Sequence, residues 1–341
     1  MRAASADASR TISIQKSLST SLQEIQAPVR ERLSAVSAEM TTIVSSELPL
    51  VGTVSSHLLA MRGKMFRPTL LLLASETAGT PERKAVSLAA SLELIHLATL
   101  VHDDAVDHSV LRRGMPTVNS LFSHQISVIM GDFLYATALT HLVEQGDIEA
   151  LRALTRASTE MTLGEMRQLG VSEPLRFSEV EYFDLIRSKT ASLMRTALEL
   201  GALSGARQYM EALGRYGENL GMAFQIVDDL IDYTEQKETT GKPSGLDLRE
   251  HKVTLPLIFA LREMGPASRR EVTALFANND ASDESIARVV RIVSECGGFE
   301  YARQRGEEFA ERASEALRDL PDTVARRSLN ASISYVMERH A

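Results

Sequence analysis

Cysteine is nearly missing from this chain: Cys296 is the only one in 341 residues. A disulfide framework and a cysteine-based metal site are therefore excluded, and a reducing compartment, the cytoplasm, is the expected location. A basic excess is missing too. Lys and Arg number 37 against 45 Asp and Glu, for a formal net charge of −8. That balance argues against nucleic acid as a partner, although a local basic cluster can still hold a small anion. No run of about 18 uncharged apolar residues occurs, so no membrane-spanning segment is expected. The greasiest stretch, 85–101, is interrupted by Glu93 and His96. Residues 1–20 lack the apolar core of a signal peptide. Residues 1–15 read as a disordered tail, with a transit peptide as the alternative. Strand-like alternation is scarce, and no internal repeat or composition shift divides the chain.

What the chain does have is helical periodicity. Apolar residues recur every three or four positions over 12–45, 84–105, 125–145, 147–170, 178–204, 208–235, 252–264, 284–297, 299–319 and 322–338. The breaks carry turn residues: "AGTPER" at 78–83, "RRGMPT" at 112–117 and "SEPLRFS" at 172–178. The longest break, 237–252, is polar, holds two glycines and a proline, and reads as a mobile loop. The expectation is an all-α protein with one helical domain over 16–341. With 44% hydrophobic residues it has ample material for a large core.

Two acidic clusters stand out. Asp103, Asp104 and Asp107 close the segment "LIHLATLV", and Asp228, Asp229 and Asp232 follow "GMAFQIV" with the same spacing. On a helix the first and last member of each set share a face. A charge run is more often a solvated face. Here both sets end strongly apolar segments, where a wet face does not belong. Crowded carboxylates repel and call for a cation. Oxygen donors without His or Cys suit Mg²⁺ or Mn²⁺, and magnesium is typically held by one or two carboxylates plus phosphate oxygens. Basic residues also cluster: Lys64 and Arg67 in "GKMFRP", Arg112 and Arg113, Lys189 beside Thr190 in "SKT", and Lys242 and Lys252 flanking the polar loop. Any one of them alone is ordinary surface charge. Together they describe sites for two polyanions, one bridged by metal and one held by bases. His96, two turns before Asp103, is either a satisfied core histidine or a donor to a phosphate oxygen.

In order and spacing, "GKMFRP", "ELIHLATLVHDDAVD", "LRRGMPT", "MGDFLYA", "SKTASL", "FQIVDDLID" and "HKVTLPLIFA" resemble the trans-isoprenyl diphosphate synthases over about residues 60 to 262. The resemblance implies about a dozen helices around a central cavity, the isoprenoid synthase type of all-α bundle, and a homodimer. It implies Asp103, Asp104, Asp107, Asp228, Asp229 and Asp232 as ligands for Mg²⁺, three ions in all, with Mn²⁺ able to substitute. Arg112, Lys189, Thr190, Gln225, Lys242 and Lys252 correspond to allylic-diphosphate contacts, and Lys64, Arg67, His96 and Arg113 to the isopentenyl diphosphate site. Catalysis would rest on Asp103, Asp104, Asp107, Arg112, Lys189, Asp228 and Asp229. One departure is His251, where relatives often have glycine. Chain length in such proteins is set before the first acidic set. Ala98 and Thr99 are small where short-chain members carry an aromatic, so the tunnel is expected to run on past Ile95 and Leu92. The implied product is a long, membrane-bound all-trans polyprenyl diphosphate of the octaprenyl type, a quinone side-chain precursor. A neighbouring side chain such as Phe133 or Tyr135 is the alternative floor. A geranylgeranyl or other shorter-chain synthase, a class I terpene cyclase or head-to-head prenyl synthase, and a non-catalytic subunit of a heteromeric synthase are the competing readings.

Overall fold

A computed structural model describes residues 21–61, 63–234, 245–278 and 280–339. The calls on the 1–15 tail, on Lys242 and on 237–244 of the polar loop lie outside these residues. The described chain is all-helical apart from one tiny hairpin. Its helices of eight or more residues are α1 Arg30–Ile43, α2 Pro49–Ala60, α3 Phe66–Ser75, α4 Lys84–Val106, α5 His124–Glu144, α6 Ile148–Leu169, α7 Glu179–Ile186, α8 Ser192–Leu203 and α9 Met210–Thr234. They continue with α10 Leu255–Glu263, α11 Pro266–Phe276, α12 Asp283–Glu295, α13 Gly298–Ala316 and α14 Val324–Met337.

Local chemistry sets many of the boundaries. Ser123, Asp147, Ser178, Ser282 and Thr323 cap α5, α6, α7, α12 and α14 by accepting a backbone N–H in the first turn. The expected 12–45 helix is broken in its described part. Leu22–Gln26 leads into a tight turn at Ala27–Val29 that holds Pro28, and α1 starts afresh. Proline has no N–H to continue the ladder. Helices α2 and α11 went unread in the sequence; each starts on a proline. The expected 178–204 helix is continuous in direction, but Arg187–Ala191 widen into a π turn between α7 and α8.

Buried apolar residues from Ile25 to Val336 form one contiguous cluster. Its centre is α3, where Pro68 to Ser75 are all buried. Each fully buried Leu there stabilises the fold by roughly 1.5–3 kcal/mol. Helix α3 packs on α8, α8 on α9, α9 on α13, and α4 on α5. These pairings bring the C-terminal ends of α4 and α9, which carry the two acidic sets, to one cleft. By length and composition α4 and α5 are each apolar enough to cross a membrane, which the criterion of an uncharged run had missed. Most of α4 is buried in the core, but only 33% of the apolar window of α5 is.

Candidate active site

The cleft has a volume of about 530 Å³. Its walls include Asp107 from the end of α4, Lys189 and Thr190 from the π turn, Gln225 and Asp229 from α9, and Lys252. Six residues singled out in the sequence thus meet around one space. The π turn reaches it because α9 approaches closely at Gly221, where a Cβ would sit 2.6 Å from the Ala191 Cα. π turns recur where a helix must present side chains to a site.

The two acidic sets are held differently. Asp103 and Asp107 make no side-chain hydrogen bond or ion pair among the described residues. Burial, with Glu165 and Asp107 nearby, pushes Asp103 up to about 6 against the pull of Lys189 and Arg112. Asp104 is buried and faces away from this pair. It accepts from Arg112 Nε at 2.9 Å on both oxygens, and Arg112 Nη2 adds a contact at 2.8 Å. A hairpin makes that contact possible: Arg112 pairs with Met115 across the two-residue loop Arg113–Gly114, and both loop residues have positive φ, at 52° and 75°.

In the second set, Asp229 is gripped on both oxygens. The Tyr182 hydroxyl donates to Oδ2 and the Gln225 amide to Oδ1, each at 2.7 Å. Thr190 donates in turn to Gln225 at 2.7 Å, so the π turn and α9 share one hydrogen-bond chain. Burial pushes Asp229 up to about 7, aided by the charges of Asp228 and Asp232. Asp228 is half-exposed and pairs with Arg339 at 3.1 Å. Asp232 accepts the backbone N–H groups of Leu246 and Asp247, each at 3.1 Å. The described part of the polar loop, 245–252, is thus held by these bonds, a correction there to its reading as mobile. Left-handed Gly245 leads into a helical turn at Leu246–Arg249. His251 takes a φ of 54°, a conformation that favours glycine. Its ring stacks on Phe276 at 5.3 Å and its Nε2 bonds to the Asn278 carbonyl at 3.2 Å, contacts that offset the strain. Lys252 donates to Glu250 at 2.6 Å.

The second basic group lies beside this cleft. The Arg67 Nη1 donates to His96 Nε2 at 3.0 Å. A guanidinium only donates, so Nε2 is the bare nitrogen and the imidazole proton sits on Nδ1. Burial and the nearby Arg67 and Arg113 hold His96 well below the usual histidine range, in its neutral form. Arg113 donates to the Met61 carbonyl at 3.0 Å. A Cβ on Gly63 would run into the Arg113 Nη1, so the tip of that arginine would have to move to admit one. Lys64 is exposed and lies 5.9 Å over the Tyr335 ring. Leu92, Ile95 and Ala98 are buried on α4, and half-buried Thr99 bonds back to the His96 carbonyl at 2.7 Å.

Sequence reading missed several cleft residues. Asp247 is buried against Asp229 and Asp232, which with burial drive its carboxyl well above the usual range. Glu165 pairs with Lys189, Gln168 accepts from Lys189 at 3.1 Å, and Tyr182 holds Asp229. All come from segments whose local pattern is plain amphipathic helix or loop. Arg339, beyond α14, also escaped notice; it lies 4.2 Å over the Phe224 ring.

No three acidic or imidazole side chains converge as a ready-made metal cage among the described residues. The donor set is nonetheless all oxygen, and Asp103 and Asp107 are unpartnered a turn apart. That arrangement fits magnesium, which takes one or two carboxylates and completes its shell from phosphate.

A sequence pattern of the family "Polyprenyl synthetase" matches residues 49–293. The chain is 38% identical over 309 residues to the all-trans-nonaprenyl-diphosphate synthase (geranyl-diphosphate specific) of Rhodobacter capsulatus, covering 90% of this chain and 94% of that one. It is 36% identical to the octaprenyl diphosphate synthase of Escherichia coli (strain K12), covering 93% and 99%. The crystal structure of a polyprenyl synthase from Caulobacter crescentus CB15, complexed with calcium and isoprenyl diphosphate, superposes with a TM-score of 0.89 at 34% identity over 95% of this chain and 99% of that one. The chain belongs to the polyprenyl synthetase family.

Proposed function

We propose that this protein is a trans-prenyltransferase that joins isopentenyl diphosphate to an allylic diphosphate and repeats the addition to give a long all-trans polyprenyl diphosphate. One observation carries the reading: an acid-lined cleft and a separate basic cluster lie side by side, matching two diphosphates with different needs. The allylic diphosphate would lie among Asp103, Asp107, Asp229, Lys189, Thr190, Gln225 and Lys252. Asp104 would act through Arg112, holding the guanidinium toward the diphosphate, with Asp228 and Asp232 at the rim of the second set. Isopentenyl diphosphate would lie on Lys64, Arg67, Arg113 and the Nδ1–H of His96.

In the reaction, the allylic C–O bond breaks and its electrons leave with diphosphate. The double bond of isopentenyl diphosphate supplies the pair for the new C–C bond. A proton is then lost to the released diphosphate, which restores a double bond. Magnesium, when bound through the aspartates, supplies positive charge that stabilises the leaving diphosphate. Lys189, Lys252 and Arg112 add charge from the protein. The apolar flank of α4 keeps water from the carbocation.

The long-chain reading is supported by the relatives above and by small Ala98 and Thr99. A homodimer is supported by α5, whose Ile129 and Val143 are 64% and 57% exposed on an otherwise apolar helix. A cytoplasmic location is supported by the lone thiol. The test is to incubate the protein with Mg²⁺, farnesyl diphosphate and labelled isopentenyl diphosphate and to size the products. A ladder running well beyond about twenty carbons is expected. A stop at twenty would keep the chemistry and overturn the long-chain assignment, and no incorporation by folded protein would overturn the enzyme.

A further inference from the structure

Glu93 is a carboxyl the proposed reaction does not use; burial pushes it above the usual carboxylate range, and Arg67 and Arg113 pull it back toward its charged form. It lies on α4 three positions before His96, 7% exposed, beneath the basic cluster. Its Oε2 has no hydrogen-bond partner, and neither has the buried Nε of Arg67. The opposite charges acting on it are Arg67 and Arg113, yet neither forms an ion pair with it among the described residues. The two arginines donate instead to neutral acceptors, His96 and the Met61 carbonyl. A buried carboxylate with a free oxygen, placed behind cations that face away from it, is a poor fastening for them. It does act on any anion those cations hold.

Repeated addition makes that relevant, and the inference rests on the function proposed above. In each round the allylic partner loses its diphosphate and the isopentenyl partner keeps its own. The lengthened chain therefore ends with its diphosphate on the basic cluster, and must move it to the acidic cleft before the next addition. A basic site that bound diphosphate too well would stall there.

We propose that Glu93 is a built-in counter-charge that keeps the basic site weaker for diphosphate than the acidic cleft, so that the growing chain is handed on after every addition. Coulomb repulsion from a buried charge is only partly screened, so removing it tightens anion binding.

The experiment compares wild type with Glu93→Gln, which keeps size and shape. Inorganic diphosphate binding is measured by calorimetry in EDTA, where the acidic cleft lacks its metal. Products are then sized with Mg²⁺, farnesyl diphosphate and isopentenyl diphosphate. Glu93→Gln is expected to bind diphosphate roughly tenfold more tightly and to release shorter products. Glu93→Asp keeps the charge and should lie nearer to wild type than Glu93→Gln does, and Glu93→Ala, which also removes the charge, should bind diphosphate more tightly than wild type and serves if the Gln variant fails to fold. Equal or weaker diphosphate binding by Glu93→Gln, or by Glu93→Asp no closer to wild type, would overturn the proposal. A wild-type protein that binds diphosphate but incorporates no isopentenyl diphosphate would instead remove the proposed reaction, a failure read from a different sample.

Discussion

The acidic cleft and the basic cluster are neighbours built on opposite plans. In the cleft most charges already have a partner: Arg112 with Asp104, Lys252 with Glu250, Arg339 with Asp228, and Lys189 with Glu165. In the basic cluster the arginines donate only to a neutral imidazole and a backbone carbonyl. A diphosphate arriving at the cleft must exchange existing ion pairs, which a divalent cation makes favourable. A diphosphate arriving at the basic cluster meets donors with nothing anionic to displace. Under the proposed function, that difference would explain why one site calls for metal and the other does not.

The comparison breaks most visibly at Asp103. Asp103→Ala removes an unpartnered carboxylate from the cleft, and kcat should fall about a thousandfold or more, with the KM for isopentenyl diphosphate little changed. Steady-state kinetics against each substrate checks it; a KM effect alone would put Asp103 outside the chemistry. On the other side, Arg113→Ala should raise the KM for isopentenyl diphosphate by roughly 50-fold and leave the allylic KM within about threefold. Equal shifts in both would mean the two sites are not separate.

Tyr182→Phe gives a smaller effect. Its hydroxyl stabilises the charged form of Asp229, so losing it raises a carboxyl already at about 7. At a given acidic pH more of Asp229 is then protonated. The acid limb of Mg²⁺ binding, where protons on the metal-free carboxyls of Asp103 and Asp229 compete with the ion between about pH 6 and 7, should move upward. The rate at neutral pH should drop about tenfold. An unmoved limb would mean Asp229 does not need its charge.

Ala98→Phe tests the wall behind the cleft. Overpacking this buried position should cost about 1–3 kcal/mol in stability, read by denaturant unfolding, and shorten the product. Unchanged products would place the floor elsewhere.

Much of this was legible in the sequence because helices keep neighbours near. Asp103 and Asp107, Lys189 and Thr190, and Gln225 and Asp229 each belong to one segment, and spacing alone puts them together. What stayed hidden comes from tertiary contact. Asp104 reads from the sequence as one of three like carboxylates, and its pairing with Arg112 follows only from the left-handed loop Arg113–Gly114. Tyr182, Glu165 and Asp247 reach the cleft from segments with no chemical signature. The π turn follows no hydrophobic period, and its place beneath Gly221 depends on how α9 packs. His251 carried a signal, glycine in relatives, whose meaning required the observed φ.

The most direct test of the two-plan account is a pair of calorimetric titrations, one with isopentenyl diphosphate and one with a non-hydrolysable farnesyl diphosphate analogue, each with Mg²⁺ and with EDTA. The account predicts that chelation weakens the allylic analogue by about a hundredfold or more and isopentenyl diphosphate by less than about threefold. Equal loss of both ligands in EDTA would contradict it.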